Sequence, residues 1–145
     1  MKNVAIVAGS LLLVGMLGGC AAGSEEPVSS TVLLDKADAT VLGQDFSYPV
    51  DSPEISSSIV VLQPGASTGW HFHEAPMYAY VLEGTLEVTY EDGTGEKTNT
   101  YKAGEAIMEG LDVAHNGVNA TSSSVSILVV NMGSKNLDNT VLLDR

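Results

Sequence analysis

A series of short β-rich segments from Thr31 onward restricts the possible folds of this chain more than any other feature. Gly, Pro, Asn and Asp separate these segments, and none of them shows the apolar period of a helix. The predicted strands are residues 56–62, 69–73, 78–82, 85–90, 97–101, 106–108, 113–118 and 125–132. Many short strands joined by tight turns are typical of a sandwich or barrel, so we expect a single all-β domain over residues 31–145.

The beginning of the chain has the pattern of an export signal. Lys2 supplies a positive charge, and the apolar run over residues 4–17 is shorter than the roughly 20 residues of a membrane-spanning helix. The run ends in Leu-Gly-Gly-Cys, which resembles the lipobox of bacterial lipoproteins. That resemblance implies a signal peptide over residues 1–19, cleaved just before Cys20, and a lipid attached to the thiol of Cys20.

Residues 20–30 are small, polar and acidic, which is the composition of a flexible tether. Two or more acyl chains on Cys20 would anchor this tether stably in a bilayer. Ala21, rather than Asp, follows the cysteine. In Gram-negative lipoproteins this residue influences sorting, so the resemblance implies an outer-membrane anchor, with the domain in the cell envelope and facing the periplasm.

The charge of the chain excludes one class of partner. Asp and Glu number 18 against 6 Lys and Arg, which gives a formal net charge of -12. A protein this acidic repels phosphate backbones, so we expect no nucleic acid partner. Because Cys20 is the only cysteine, an intramolecular disulfide and a cysteine-based zinc site are also excluded.

The three histidines of the chain form a candidate metal site. His71 and His73 are two residues apart on a predicted strand, so both side chains can point to one face. His115 lies on another predicted strand, which a barrel can bring opposite the pair. Imidazole suits several divalent metals, and three such ligands leave positions open for water or substrate. We expect one divalent metal ion, with Fe, Mn, Zn, Ni and Cu not distinguished.

The residues around these histidines resemble both sequence motifs of the cupin superfamily. In the first motif, five residues separate Gly65 from His71-Phe72-His73, and Gly84 closes the pattern. In the second, Gly104, His115 and Asn119 stand at the family's spacing. The resemblance covers about residues 56–132 and is to small single-domain cupins of the type-2 conserved barrel. It implies a double-stranded β-helix, or jelly-roll, barrel that holds a metal, and an association into homodimers through the sheets.

One ligand of the family pattern is replaced. The first motif's glutamate, usually the fourth metal ligand in the family, corresponds to Met77. Three alternatives remain open: a plain three-histidine site, a carboxylate supplied by Glu74 or Glu109, or a thioether contact from Met77. Glu109 shares strand parity with Ile107, a predicted core residue, so an inward Glu109 is the more favoured of the two carboxylates.

Two functions of different classes follow from this site. The first is a metal-dependent enzyme, dioxygenase-like or isomerase-like, that acts on a small molecule in the cell envelope. The second is a non-catalytic module that binds a metal or a small ligand, since a fold does not imply an activity. No residue is assigned a catalytic role from the sequence.

Overall fold

Between Val28 and Arg145, the part of the chain that the computed structural model describes, nine β-strands form two antiparallel sheets. The predicted signal peptide and Cys20 lie outside the described residues. Residues 31–145 make up one compact unit. This part of the chain is all-β, as the sequence predicted, and it contains no helix long and apolar enough to cross a membrane.

The strands largely follow the predicted segments. They are β1 (Pro53–Leu62), β2 (His71–Phe72), β3 (Met77–Glu83), β4 (Thr85–Glu91), β5 (Glu96–Lys102), β6 (Ala106–Met108), β7 (Ala114–Val118), β8 (Val125–Ser134) and β9 (Val141–Leu142). The four-stranded sheet has the order β1-β8-β3-β6, and the five-stranded sheet has the order β5-β4-β7-β2-β9. Apart from the β4–β5 hairpin, consecutive strands alternate between the two sheets, which face each other across the core.

Two details of the prediction were wrong. The strand predicted over residues 69–73 is only two residues long, because Gly69 has a φ of +77° and turns the chain away from the extended conformation. The pentapeptide Thr-Val-Leu-Leu-Asp, at residues 31–35 and again at 140–144, predicts two edge strands. The second copy forms the short strand β9, which pairs with β2 at the edge of the sheet, but the first copy forms no strand.

The strand register decides which side chains meet in the interior. On the inner face of the four-stranded sheet, Ser56, Asn131 and Met77 are direct neighbours, and the Glu109 N–H bonds to the Met77 carbonyl. On the five-stranded sheet, Tyr90, His115 and His71 are direct neighbours. Each sheet therefore has one row with polar side chains at the border of the hydrophobic core. Met77 and Tyr90 belong to both these rows and the core, whose buried members are Leu62, Met77, Ala79, Leu86, Val88, Tyr90, Ile107, Val125 and Ile127.

The glycine that closes the first motif is required by the packing of β3 against β8. Gly84 has a φ of +83°, and a Cβ built there would lie 2.7 Å from the Ser124 carbonyl oxygen and 3.0 Å from Cγ2 of Val125. We expect Gly84→Ala to lower the free energy of unfolding by about 3 kcal/mol, since left-handed strain and overpacking add. Chemical denaturation measures this loss.

Gly93→Ala is the matched control for that substitution. Gly93 has a φ of +84°, but no neighbouring atom lies within 4 Å of the point that a Cβ would occupy. We expect this variant to lose only about 1–2 kcal/mol, the strain of the left-handed backbone. Equal losses in the two variants would show that contact with Ser124 and Val125 contributes nothing.

Candidate metal centre

The structure brings the three histidines together. His71 on β2 and His115 on β7 are directly paired across the two strands, and His73 follows β2. All three side chains are buried, and their potential ligand atoms lie within 4.8 Å of one another. Among residues 28–145, these three form the one group of His, Cys, Asp or Glu side chains that is placed to hold a metal ion.

Each imidazole is held by a backbone carbonyl. The Nδ1 atom lies 2.8 Å from the Gly69 oxygen in His71 and 2.8 Å from the Val113 oxygen in His115. In His73 it lies 2.6 Å from the Asn139 oxygen. A carbonyl oxygen can only accept, so Nδ1 carries the proton and donates in all three rings. In the neutral rings Nε2 then carries the free lone pair, which is the tautomer that a metal-binding histidine adopts when its other nitrogen donates to a carbonyl.

The contact between His73 and His115 fits a bound cation. Their Nε2 atoms are 3.2 Å apart. With both Nδ1 atoms protonated, two lone pairs face each other, which is unfavourable unless a cation lies between them. Two nitrogens bound to one ion at about 2.0–2.1 Å are roughly 3 Å apart. The donor set present therefore suits a divalent metal.

Burial keeps the imidazoles in the form that binds metal. Desolvation lowers the pKa of His73 to about 4, and desolvation likewise lowers the pKa of His115 to about 4. A metal ligand must be deprotonated. At neutral pH both rings are therefore neutral, and protons compete with a metal only in acid.

The metal-free protein should lose stability as the pH falls from 6.5 to about 4. In that window the unfolded chain protonates His73 and His115, whose ordinary pKa is 6.5, while the folded chain does not. The unfolded state binds more protons, so unfolding is favoured by on the order of 3 kcal/mol per imidazole. Melting temperatures at closely spaced pH values measure the effect. A double variant with Asn at both positions should lack this slope, and an equal slope in that variant would contradict the assignment.

Glu109 points into the same interior. It is 5% exposed, and its Oε1 accepts a hydrogen bond of 2.8 Å from the Gly110 N–H. Burial raises the pKa of this carboxyl. Glu109 lies directly across from Met77 and lines the cavity beside the histidines, although its carboxylate is not within the three-histidine group. The inward orientation agrees with its strand parity, and its role as a ligand stays a prediction.

The other two alternatives for the missing carboxylate are placed differently. Met77 is buried and lines the cavity, so its thioether remains near the site. The carboxylate of Glu74 instead accepts a hydrogen bond of 2.7 Å from the Asp138 N–H, and Glu74 does not line the cavity. In this geometry Glu74 supports the carboxyl-terminal segment, and its role as a ligand stays a prediction.

A cavity of about 320 Å³ opens beside the histidines. Its walls come from both sheets and are mainly apolar. The lining residues are Ser58, Val60, Thr68, His71, His73, Met77, Ala79, Leu86, Val88, Ile107, Glu109, His115, Gly117, Ile127, Val129, Asn131 and Thr140. This volume is at the lower end of small-molecule sites.

Asn119, the last residue of the second motif, has a structural role. It is fully buried, and its amide nitrogen donates to the carbonyls of Leu62 at 2.9 Å and Ser123 at 2.8 Å. Its amide oxygen accepts from the backbone and side chain of Thr121. These bonds connect the end of β1 to the turn between β7 and β8, so Asn119 fixes the fold around His115 without lining the cavity.

Sequence reasoning missed two contributors to the site. The Asn139 carbonyl orients His73, and no sequence signal reveals it because every residue carries a carbonyl. Asn131 lines the cavity. A signal for it exists, since it has the inward parity of Val125, Ile127 and Val129 and is the polar member of that series.

The comparison with protein families agrees with this geometry. The family described as "Cupin domain" matches residues 58–131, slightly more than half of the chain, and the match includes all three histidines. The chain belongs to the cupin family. A search of curated proteins finds no significant match.

Solved cupin structures share the fold of this cupin. An oxalate oxidase in complex with glycolate has a TM-score of 0.53 and 22% identity, over 61% of this chain and 45% of that chain. The Bacillus subtilis oxalate decarboxylase, which has Mn(II) centres, has a TM-score of 0.55 and 22% identity, over 61% of this chain and 24% of that chain. The Lactobacillus farciminis oxalate decarboxylase in its formate complex has a TM-score of 0.54 and 22% identity, over 61% of this chain and 26% of that chain. This cupin spans less than half the length of each, and likeness at this identity shows the fold alone.

Proposed function

We propose that this cupin binds one divalent metal ion through Nε2 of His71, His73 and His115, and that the metal acts on a small molecule held in the adjoining cavity. The observation that carries the proposal is the facing pair of Nε2 atoms, 3.2 Å apart, with each Nδ1 held by a backbone carbonyl. A bound metal would supply Lewis-acid or redox chemistry. The chain itself contributes apolar walls that exclude water.

Glu109 favours an enzyme over a passive binding module. A buried carboxyl with a raised pKa, on the wall of a cavity beside a metal site, is suited to hold or transfer a proton. We therefore place a dioxygenase-like or isomerase-like enzyme first. The alternative, a non-catalytic metal or small-ligand module, is favoured by Met77, which replaces a ligand usual in the family.

Elemental analysis of protein purified without an affinity tag tests the metal site. We expect close to one equivalent of a divalent transition metal per chain. Manganese, which the Bacillus subtilis decarboxylase holds in its centres, or iron would favour the dioxygenase-like function. Zinc would favour Lewis-acid chemistry or binding. Failure to take up any of these metals, even on titration, would refute the proposal.

We also propose that the domain is held in the cell envelope by a lipid on Cys20, on an outer membrane facing the periplasm. The support is the Leu-Gly-Gly-Cys sequence, in which the chain's single cysteine occupies the lipidation position. Cys20→Ser should abolish the mass of the lipid and block processing or release the protein from membranes. Soluble wild-type protein with an unmodified Cys20 would contradict this.

A second copy of this chain is the partner that we propose for the outer face of the four-stranded sheet. Ile55, Ile59 and Val61 are exposed on β1, and their register places Ile55 and Ile59 beside apolar side chains of β8. The apolar members of this face on β1, β3 and β8 are Ile55, Ile59, Val61, Tyr78, Tyr80, Leu128, Val130 and Met132. These residues carry no charge, on a chain with a formal net charge of -12, so two copies can meet there without direct repulsion.

Light scattering of two matched variants tests this dimer. Ile59→Asp places a charge in the middle of the face and should give a monomer. Thr100→Asp, at an exposed position of β5 on the other sheet, should leave the dimer intact. A monomeric wild type at high concentration would rule out the proposed pairing.

A further inference from the structure

The side chains of the cavity wall carry no positive charge of their own, so the proposed metal on the histidines would be the cation that a ligand meets. Among the described residues that line the cavity, none is Lys or Arg, and the carboxyl of Glu109 is the one acidic group. The chain as a whole is strongly acidic. Away from the histidines, an anionic group would find no cationic side chain to pair with, and would meet a buried carboxyl and apolar walls. This part of the lining therefore favours a neutral group.

Asn131 adds a specific polar feature to this lining. It lies on the inner face of β8, between Ser56 on β1 and Met77 on β3. Its Oδ1 is shielded from solvent and has no hydrogen-bond partner within residues 28–145. A buried acceptor without a donor destabilises the folded state, so it requires a partner from outside the chain.

The position of Asn131 directs that partner into the cavity. Val125, Ile127 and Val129, the inward residues of β8 before it, are apolar, and Asn131 is the polar residue of this series that lines the cavity. The histidines stand on the opposite sheet. A molecule in the cavity thus has an imidazole-bordered wall on one side and the Asn131 amide on the other.

We infer that the ligand of this cavity is a largely apolar small molecule whose group beside Asn131 is neutral and donates a hydrogen bond, from a hydroxyl or N–H, to Oδ1 of Asn131. A second polar atom of the same molecule would face the histidine cluster. A cavity of about 320 Å³ accommodates a single ring with one polar substituent. This inference rests on the proposed function only in taking the cavity as the ligand site.

Three probes built on the same benzene ring separate charge from hydrogen bonding. Benzamide is neutral and has N–H donors, benzoate is its anionic counterpart, and N,N-dimethylbenzamide is neutral without a donor. Calorimetric titration of the full-length chain in detergent, corrected for micelles alone, measures each affinity. In metal-free protein we expect benzamide to bind at least about 5-fold more tightly than the other two. Benzoate binding to metal-free protein as tightly as benzamide would overturn the inference of a neutral group beside Asn131.

Two variants assign the preference to Asn131. Asn131→Leu keeps the approximate size but removes the acceptor, and should reduce the preference for benzamide over N,N-dimethylbenzamide to within about twofold. Asn116→Leu, the same substitution at a residue of β7 outside the cavity wall, should retain the preference. If Asn131→Leu still prefers benzamide to the same extent, the Asn131 amide binds a fixed water or stabilises the fold and does not contact the ligand. If Asn131→Leu does not fold, the probe series on the wild type still decides, since equal binding of the two amides overturns the inference.

The same titrations distinguish this inference from the proposed metal site. The two amides are compared in metal-free protein and in protein loaded with Zn²⁺. Absence of metal uptake would refute the proposed function while the metal-free comparison still tests Asn131. Normal metal uptake with no preference between the amides would refute the inference and leave the metal site in place.

Discussion

His115→Ala should reduce the metal content of the purified protein from about one equivalent to a small fraction of one after dialysis. His115 supplies one of three converging Nε2 atoms, and that atom is 3.2 Å from its counterpart in His73. Loss of a group that only orients a ligand typically weakens metal binding about 10- to 100-fold, and loss of a direct ligand should exceed that range. Metal-to-protein ratios and a competition titration with a chelator measure the change.

Asn116→Ala is the matched control for His115→Ala. Asn116 is the next residue of β7, but its side chain faces the other side of the sheet, where Oδ1 accepts a hydrogen bond of 2.7 Å from Ser67. This variant should keep the metal. Full metal occupancy in His115→Ala would mean that the three histidines do not hold the ion together.

Met77→Glu should change metal affinity and metal-free stability in opposite directions. The new carboxylate would stand on the inner face, in the cavity that the histidines line, and directly across from the buried Glu109. With metal, an added oxygen ligand should tighten binding by about 10-fold or more. Without metal, two desolvated carboxyls in one site should lower the melting temperature.

Two further variants identify the cause of such a change. Met77→Gln has a similar shape without the charge and should not tighten binding. Glu109→Gln combined with Met77→Glu should recover much of the lost metal-free stability, because it removes one of the opposed carboxyls. If Met77→Glu unfolds even with excess metal, or leaves the affinity unchanged, then Met77 is a packing residue and does not occupy the family's ligand position.

The strands could be predicted because alternation and turn residues are local signals. Residues 85–90 alternate clearly, and the observed β4 differs from the prediction by one residue. The grouping of the histidines could also be predicted, but for a partly incorrect reason. His71 and His73 do not share a regular strand, since β2 ends at Phe72. His73 reaches the site because the Asn139 carbonyl, 66 residues away, fixes its ring.

What could not be predicted depends on contacts between distant segments. The pairing of β9 with β2 and the opposition of Glu109 and Met77 are set by register between strands far apart in sequence. Parity indicated that Glu109 points inward, yet it contained no information about distance from the histidines. Glu74 was a candidate because it directly follows His73, whereas its observed bond to the Asp138 N–H depends on the carboxyl-terminal segment.

Because main-chain oxygens hold all three imidazole rings, substitutions near the site change the protonation of the Nδ1 atoms little. Replacing Val113 or Asn139 changes a side chain but leaves the acceptor of His115 or His73 in place. An inserted or deleted residue near either position would instead move the carbonyl and release the ring. Evolution of this protein can therefore alter the composition of these loops much more freely than their length.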